Sequence, residues 1–432
     1  MVSEMRRGGA RQRPPGQAGR RFPRKRPARA TATRAPPEPP ARVPLPAPAS
    51  GATPGRHYNA PMTAPGPDYP TLQRIGWPWA GAPEDPAWQA LFDQHPQALP
   101  ARVSEQHRTG YVLSDAPESG FRVESPPEWQ RRPVFTPEGI PLHERAAVGD
   151  WVLHDGRRIL ALLPRRSAIK RAAAGEHYQQ QVIAANVDTA FVVCGLDADF
   201  NPRRIERYLL LVGGGGAQPV VVLTKVDLNG EGRELALEAL EDIRALGVPV
   251  LAVNAKDPDA AAALSAWLAP GCTAVLVGSS GAGKSTLTNS LLGRERMKTG
   301  AVRASDSRGR HTTTHRALIP LPSGACLVDT PGMRELKPTG EEELADGGFG
   351  DIEELATQCR FNDCAHLNEP GCAILAAIKE GELDEGRVAN YLKLRGEIAG
   401  AADRLAQRMA QKNESRGSGR GPGKRPPPRA RR

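Results

Sequence analysis

The run Gly278-Ser279-Ser280-Gly281-Ala282-Gly283-Lys284-Ser285 constrains this chain more than any other feature. It fits Gly-x-x-x-x-Gly-Lys-Ser and stands between an apolar stretch, Cys272 to Val277, and a helical run, Thr286 to Leu292. Such a loop needs a buried strand to enter it and a helix to leave it. The glycines let backbone N–H groups turn inward, and the helix adds the positive end of its dipole, so the turn can cradle phosphates. On this reading Lys284 reaches the β- and γ-phosphates and Ser285 ligates Mg²⁺. Strand and helix alternate from 169 to about 336, which implies a parallel sheet covered by helices on both sides.

A second motif lies upstream. Thr224-Lys225-Val226-Asp227 follows the apolar strand Pro219 to Leu223. Asp227 is placed to accept hydrogen bonds from guanine N1 and N2, with the Lys225 stem against the ring. Adenine lacks both donors and would leave the carboxylate unpaired, a discrimination of roughly 10⁴-fold or more. The usual first residue is Asn. Thr224 cannot offer the amide donor, so one supporting bond is expected to be missing and nucleotide affinity to be weaker. Asn254-Ala255-Lys256, after the next strand, matches the loop that backs the base.

Two further stretches answer to the γ-phosphate. Asp329-Thr330-Pro331-Gly332 follows the strand Cys326 to Val328. Asp329 should hold Mg²⁺ through water, and the Gly332 N–H should meet the γ-phosphate. Between the phosphate loop and this strand lies a polar stretch, 294–315, containing Gly309-Arg310-His311-Thr312-Thr313-Thr314. One threonine can complete the Mg²⁺ shell; Thr313 is favoured, although spacing does not separate it from its neighbours. Met333 stands where a water-orienting Gln is often found, and Met cannot orient a water. His311 either relays the proton instead or only shapes the loop. The nucleotide-binding set is therefore Thr224, Lys225, Val226, Asp227, Asn254, Ala255, Gly278, Ser279, Ser280, Gly281, Ala282, Gly283, Lys284, Ser285, Thr286, Asp329 and Gly332. Lys284, Thr313 and His311 are the catalytic candidates.

Cys359-x₄-Cys364-x-His366-x₅-Cys372 supplies three thiolates and one imidazole. Four such ligands close a tetrahedral structural zinc site with no open position for chemistry. The other three cysteines, Cys194, Cys272 and Cys326, lie in or beside apolar runs and read as small core residues. That usage suits a reducing cytosol better than a disulfide framework.

Net charge is +10 over 432 residues, but residues 1–60 carry +11 and residues 412–432 carry +7, leaving −8 on the rest. Basic, Pro- and Gly-rich ends cannot bury enough apolar surface to order themselves. They either engage polyanions such as RNA or only aid solubility. The first 60 residues faintly resemble an organellar transit peptide, though their prolines oppose the amphipathic helix one needs, and translation from Met62 is the other reading. No apolar stretch approaches the ~20 residues of a membrane span.

The expected organisation is a disordered extension (1–61), an N-terminal segment (62–100), a small β-barrel from short strands broken by turns (101–168), the phosphate-loop domain (169–338), a helical zinc-binding module (339–411) and a disordered basic tail (412–432).

With base motif first, then phosphate loop, then switch stretches, the chain resembles the RsgA family of circularly permuted, small-ribosomal-subunit-dependent GTPases. Gly309 to Thr314, Asp329 to Gly332 and the Cys-Cys-His-Cys spacing carry the resemblance. So do Gly149-Asp150-Trp151-Val152, Leu163-Pro164-Arg165-Arg166-Ser167, Ala185-Asn186-Val187-Asp188 and Glu206-Arg207-Tyr208-Leu209. It covers about 101 to 395. It implies an OB-fold, a permuted GTPase domain and a helical zinc domain in a cytoplasmic, monomeric factor. That factor binds GTP or GDP with Mg²⁺, engages the small subunit and its rRNA late in maturation, and leaves on hydrolysis. Arg165, Arg166 and Lys170, at the barrel's exit, either meet rRNA phosphates or are solvated linker charges. An RNA-binding scaffold with little turnover and a large-subunit assembly GTPase are the alternatives.

Overall fold

The computed structural model describes residues 66–107, 110–129, 142–172, 180–228, 230–257, 259–293, 316–329 and 337–418. His311, Thr313, Gly332 and Met333 lie outside these, as do residues 1–61 and 419–432.

The chain begins with two short helices, α1 (Tyr69–Gln73) and α2 (Pro86–Gln94), each started by an aspartate, Asp68 or Asp85, that accepts from the first-turn N–H groups. Trp77 between them, Trp88 on α2 and Trp151 are buried together, with Trp77 and Trp151 edge to face at 4.9 Å. These aromatics fill a core instead of facing outward.

Five strands follow: β1 (Leu99–Gln106), β2 (Gly110–Ser114), β3 (Phe121–Glu124), β4 (Trp151–His154) and β5 (Ile159–Leu162). Their antiparallel pairing runs β3-β2-β1-β4-β5, and a parallel bridge from Glu124 to Arg158 joins the outer strands. Alternate residues line one small core: Ala101 and Val103, Tyr111 and Leu113, Val123, Val152 and Ile159. Trp151 and Leu153, on the other face of β4, join the aromatic cluster.

β6 (Ala168–Ala172) and β7 (Gln180–Ala185) then form a separate antiparallel pair. This pair precedes the parallel sheet, so the strand and helix alternation expected from 169 starts later. The sheet begins with β8 (Thr189–Gly195), and Asn186, with φ of 52°, makes the turn into it.

The remaining elements are α3 (Pro202–Gly213), β9 (Gln218–Thr224), α4 (Gly230–Ala239), α5 (Glu241–Ala245), β10 (Val250–Ala252), α6 (Asp259–Ala263), β11 (Thr273–Val277), α7 (Lys284–Leu292), β12 (Ala317–Pro320), β13 (Cys326–Asp329), α8 (Gly350–Ala356), α9 (Ala373–Glu380) and α10 (Glu385–Ser418). One helix was expected from Arg233 to Leu246. Two are found, because the N–H of fully buried Leu240 bonds three residues back, to Leu237, and the helix restarts. The last helix passes residue 411, since no glycine or proline interrupts 401–416.

The sheet order is β10-β9-β8-β11-β13-β12, parallel except for β12. β12 also meets β1 at Ala317 and Glu105, so the sheet is mixed and continuous with the five-stranded unit. Fully buried Arg102 fixes this junction. It donates to the carbonyls of Ile75, Gly149 (3.1 Å) and Asn186 (3.1 Å) and to Thr273 Oγ1 (2.8 Å).

Candidate nucleotide site and metal centre

Parallel register puts the predicted nucleotide residues on one edge. Gly195 at the end of β8 is level with Thr224 at the end of β9, and Val192 with Val277 on the phosphate-loop strand. Asp329 ends β13, and Asn254 follows β10. A crevice outside the carboxyl ends of parallel strands is where such sheets hold ligands.

The phosphate loop can be made only with its glycines. Gly278, at φ 143°, would carry a Cβ 2.1 Å from the Val193 carbonyl oxygen. Gly283, at φ 94°, would carry one 2.9 Å from Thr224 Oγ1. Lys284 opens α7 and its Nζ crosses the loop, donating to the carbonyls of Gly278 (2.7 Å) and Ser279 (2.5 Å). Ser285 and Thr286 sit half-buried in the first turn.

Thr224 lacks the amide donor, as its residue type requires, but makes a different supporting bond. It is fully buried, and its hydroxyl donates to the Ala282 carbonyl at 2.6 Å. The base motif is thereby braced to the phosphate loop without an amide. Lys225 takes a positive φ of 62°. Its stem lies over Gly195, where a Cβ would be 3.2 Å from the lysine carbons, and its ammonium pairs with Asp197. Burial alone would raise the Asp197 carboxyl, but the Lys225 bond and charge together with the bonds from backbone N–H groups outweigh it, and the net shift is downward. Asp227 accepts from Lys256 Nζ at 3.0 Å, and that bond holds its carboxyl below the ordinary value.

Sequence reasoning missed Asp197, Asp199 and Arg204. Arg204, in the first turn of α3, donates through one nitrogen to Asp199 (2.5 Å) and to Ser279 Oγ of the phosphate loop (2.9 Å). The available signal was position: this loop leaves β8, between the base-motif strand and the phosphate-loop strand. Arg165, by contrast, is spent inside the protein. It grips buried Asp150 at 2.7 and 2.9 Å and bonds the carbonyls of His143 and Arg145. Arg166 and Lys170 pair with Asp188 (3.5 Å) and Glu341 (3.0 Å).

Cys359, Cys364, His366 and Cys372 bring their ligand atoms within 4.8 Å of one another. His366 Nδ1 lies 3.6 Å from Cys359 Sγ and 3.5 Å from Cys372 Sγ, and those two sulfurs are 3.8 Å apart. Zinc bonds of ~2.3 Å to sulfur and ~2.1 Å to nitrogen give tetrahedral edges of about 3.8 and 3.6 Å. The donor set therefore fits such an ion. Cys364 is pushed up to about 11 by burial and the neighbouring sulfurs, which a cation among them would relieve. The loop is held by Glu369, which accepts from the N–H groups of Ala365 (3.1 Å), Leu367 (2.8 Å) and Asn368 (3.1 Å). A bond from its own N–H, first, and then these three hold its carboxyl down to about 2.

Known proteins resemble this chain at the level of the family. The family model described as RsgA GTPase matches residues 162–339. Small ribosomal subunit biogenesis GTPase RsgA of Xanthomonas axonopodis pv. citri (strain 306) is 73% identical over 345 residues, spanning 80% of this chain and 93% of its own length. The chain belongs to the RsgA GTPase family. The RsgA of Xanthomonas euvesicatoria pv. vesicatoria (strain 85-10) is 74% identical over 340 residues, spanning 79% of this chain and 92% of its own. The crystal structure of YjeQ from Thermotoga maritima is similar at 26% identity and a TM-score of 0.49, covering 70% of this chain and 98% of that one.

In this RsgA family member, strands β8 to β10, with the base motif, precede the phosphate-loop strand β11 in the chain yet lie beside it in the sheet. That is the permuted order. The metal-centre module rests on α3. Arg203 pairs with Asp384, Arg207 with Glu397 (2.7 Å), and Asn390 donates to Glu206 (2.7 Å). Leu210 of α3 is fully buried in the module's core with Phe349, Ile352 and Ile374. Among the described residues, no helix is long and apolar enough to cross a membrane.

Proposed function

We propose that this GTPase acts late in small ribosomal subunit maturation, is stimulated by the small subunit and leaves it on hydrolysis. The observation that carries this reading is 73% identity to a protein named small ribosomal subunit biogenesis GTPase RsgA, over 93% of its length. The shared edge of the nucleotide motifs and the module docked on α3 support it.

Within this reading, Gly278 to Thr286 wrap the phosphates of GTP or GDP, with Lys284 on the β- and γ-phosphates and Ser285, Asp329 and Thr313 around Mg²⁺. Gly332 senses the γ-phosphate. Lys225, Asp227, Asn254 and Ala255 select guanine, with Thr224 and Val226 shaping the motif. His311 handles the proton of the attacking water. Cys359, Cys364, His366 and Cys372 hold one structural Zn²⁺. The strand pairing of 99–162, closed by a parallel bridge between its outer strands, supports an OB-fold that follows rRNA backbone. The domain limits are 62–100, 101–168, 169–338 and 339–418, the last helix carrying the module past 411, with basic tails at 1–61 and 419–432. The factor works as a cytoplasmic monomer without a membrane partner.

Cosedimentation with separated ribosomal subunits at defined salt, with GTP analogue or GDP, tests the partner. The expected result is analogue-dependent binding to small subunits, with faster phosphate release when they are added. Binding to large subunits alone would overturn the reading, and small-subunit binding without stimulated release would leave only a scaffold. Loss of stimulated turnover in His311→Ala, with GTP binding kept, is expected if His311 handles the proton.

A further inference from the structure

Two arginines stand together with no acid beside them among the described residues. Arg171 lies on β6, and Arg316 immediately precedes β12. Both are half-buried. Among the described residues Arg316 donates to the Val182 carbonyl at 3.2 Å, and Arg171 reaches the Gln181 side-chain oxygen only at 3.4 Å. The Arg171 Nε is buried with no partner. Each guanidinium has five N–H donors, so most of this capacity is unspent among the described residues. Burial and the positive charge of Arg171 push Arg316 down to about 10, and no carboxylate among the described residues offsets them. Nearly every other buried or half-buried arginine described above is paired or fully bonded. Arg102 has four acceptors, Arg165 has Asp150, and Arg387 has Asp351 at 2.6 and 2.7 Å.

We infer that Arg171 and Arg316 form a receiving site for a phosphate group. An uncompensated, partly desolvated pair of like charges is costly, and an anion between them removes both the repulsion and the unmet donors. A single carboxylate offers one charge and two oxygens, enough for one guanidinium fork. A phosphate offers more oxygens, so two forks can share it. The location gives the site a consequence. Arg316 is the first residue after the polar stretch that holds His311 and Thr313. The Ala172 N–H, next to Arg171, donates to the Lys337 carbonyl at 3.2 Å, just after the stretch that holds Gly332. A phosphate here would therefore be gripped between the exits of both γ-phosphate-sensing stretches. It can come from an RNA backbone or from free inorganic phosphate.

The test uses the full chain with zinc and saturating GDP and Mg²⁺, so that the phosphate loop is already filled. Thermal midpoint is followed against inorganic phosphate at constant ionic strength. The wild type is expected to rise, and Arg171→Gln and Arg316→Gln each to lose most of that rise. Without phosphate each variant should melt no lower than wild type, because one of two repelling charges is gone. A phosphate response kept in both variants would overturn the proposal, as would a marked fall in their midpoints without phosphate. Binding of a labelled single-stranded RNA against salt identifies the source. If RNA supplies the phosphate, each variant's log–log salt slope shrinks by about 0.7, the loss of one contact. An unchanged slope with the phosphate response lost supports the site as one for free phosphate. Neither arm depends on ribosome binding, so the site and the ribosomal reading can fail separately.

Discussion

Thr224 is fully buried, and its hydroxyl reaches the Ala282 carbonyl at 2.6 Å. Valine keeps the shape and removes the donor. Thr224→Val is therefore expected to leave that carbonyl unpaired and to cost about 1–3 kcal/mol of stability. It should also weaken GDP binding, because the second residue of the pair lies inside the phosphate loop. Denaturant midpoints and a GDP titration check the two effects; a lower midpoint with unchanged GDP affinity would mean that the brace serves folding alone. At this scale, the residues of the site were legible where chemistry fixes type and spacing together, as in Gly278 to Ser285 or the Cys359 to Cys372 cluster. Their partners were not. Asp197 and Asp199 come to the site from the β8–α3 loop, and no local pattern announces that two aspartates will meet Lys225 and Arg204. The bond that Thr224 makes was not foreseen for the same reason: its acceptor lies far along the chain, and only the fold brings it near.

Helix α3 has two working faces. Arg204 points to Ser279 of the phosphate loop, while Arg203, Glu206, Arg207 and Leu210 meet the metal-centre module. Asn201 caps its start through Arg204 N–H, so the residue that anchors the phosphate loop also begins the helix. Arg204→Ala should release Ser279 and weaken GDP binding several-fold, the loss of about 1 kcal/mol expected for one hydrogen bond. Arg204→Lys should restore part of it. Equal affinities in all three proteins, by nucleotide titration, would show that Ser279 needs no anchor. Leu210→Ala probes the other face. It empties a fully buried position and should cost about 2–5 kcal/mol, appearing as faster hydrogen exchange in α8 to α10. Strand and helix types were readable from apolar runs and stops such as Gly213. The break at Leu240 was not, because apolar spacing continues through it and only backbone bonding marks the restart.

Across the whole molecule, the sheet and the module have different sources of order. The sheet buries continuous apolar strands: Val220 to Leu223, Ala190 to Val193 and Ala274, Val275 and Val277 are nearly inaccessible. Fully buried Arg102 then fastens the N-terminal helices, the five-stranded unit and the sheet together through bonds to Ile75, Gly149, Asn186 and Thr273. Composition could not foretell that junction, since an arginine in a strand normally faces water. The metal-centre loop has no comparable core. Phe361 and Leu367 beside the candidate ligands are exposed, and the Glu369 bonds bind the backbone where the cysteines and His366 gather. Removing the metal should therefore loosen 350–375 first. Hydrogen exchange after chelation is expected to show lost protection there, while β8, β9 and β11 keep theirs and GDP still binds. α9 begins at the ligand Cys372, so its first turn should open with the loop. The helix α3 face should loosen only as far as the module's departure uncovers Leu210. Retained protection across 350–375 would mean that the α8–α10 core, centred on Phe349 and Tyr391, holds the loop without metal. Simultaneous loss in the sheet would mean that module and sheet unfold as one unit, coupled through α3.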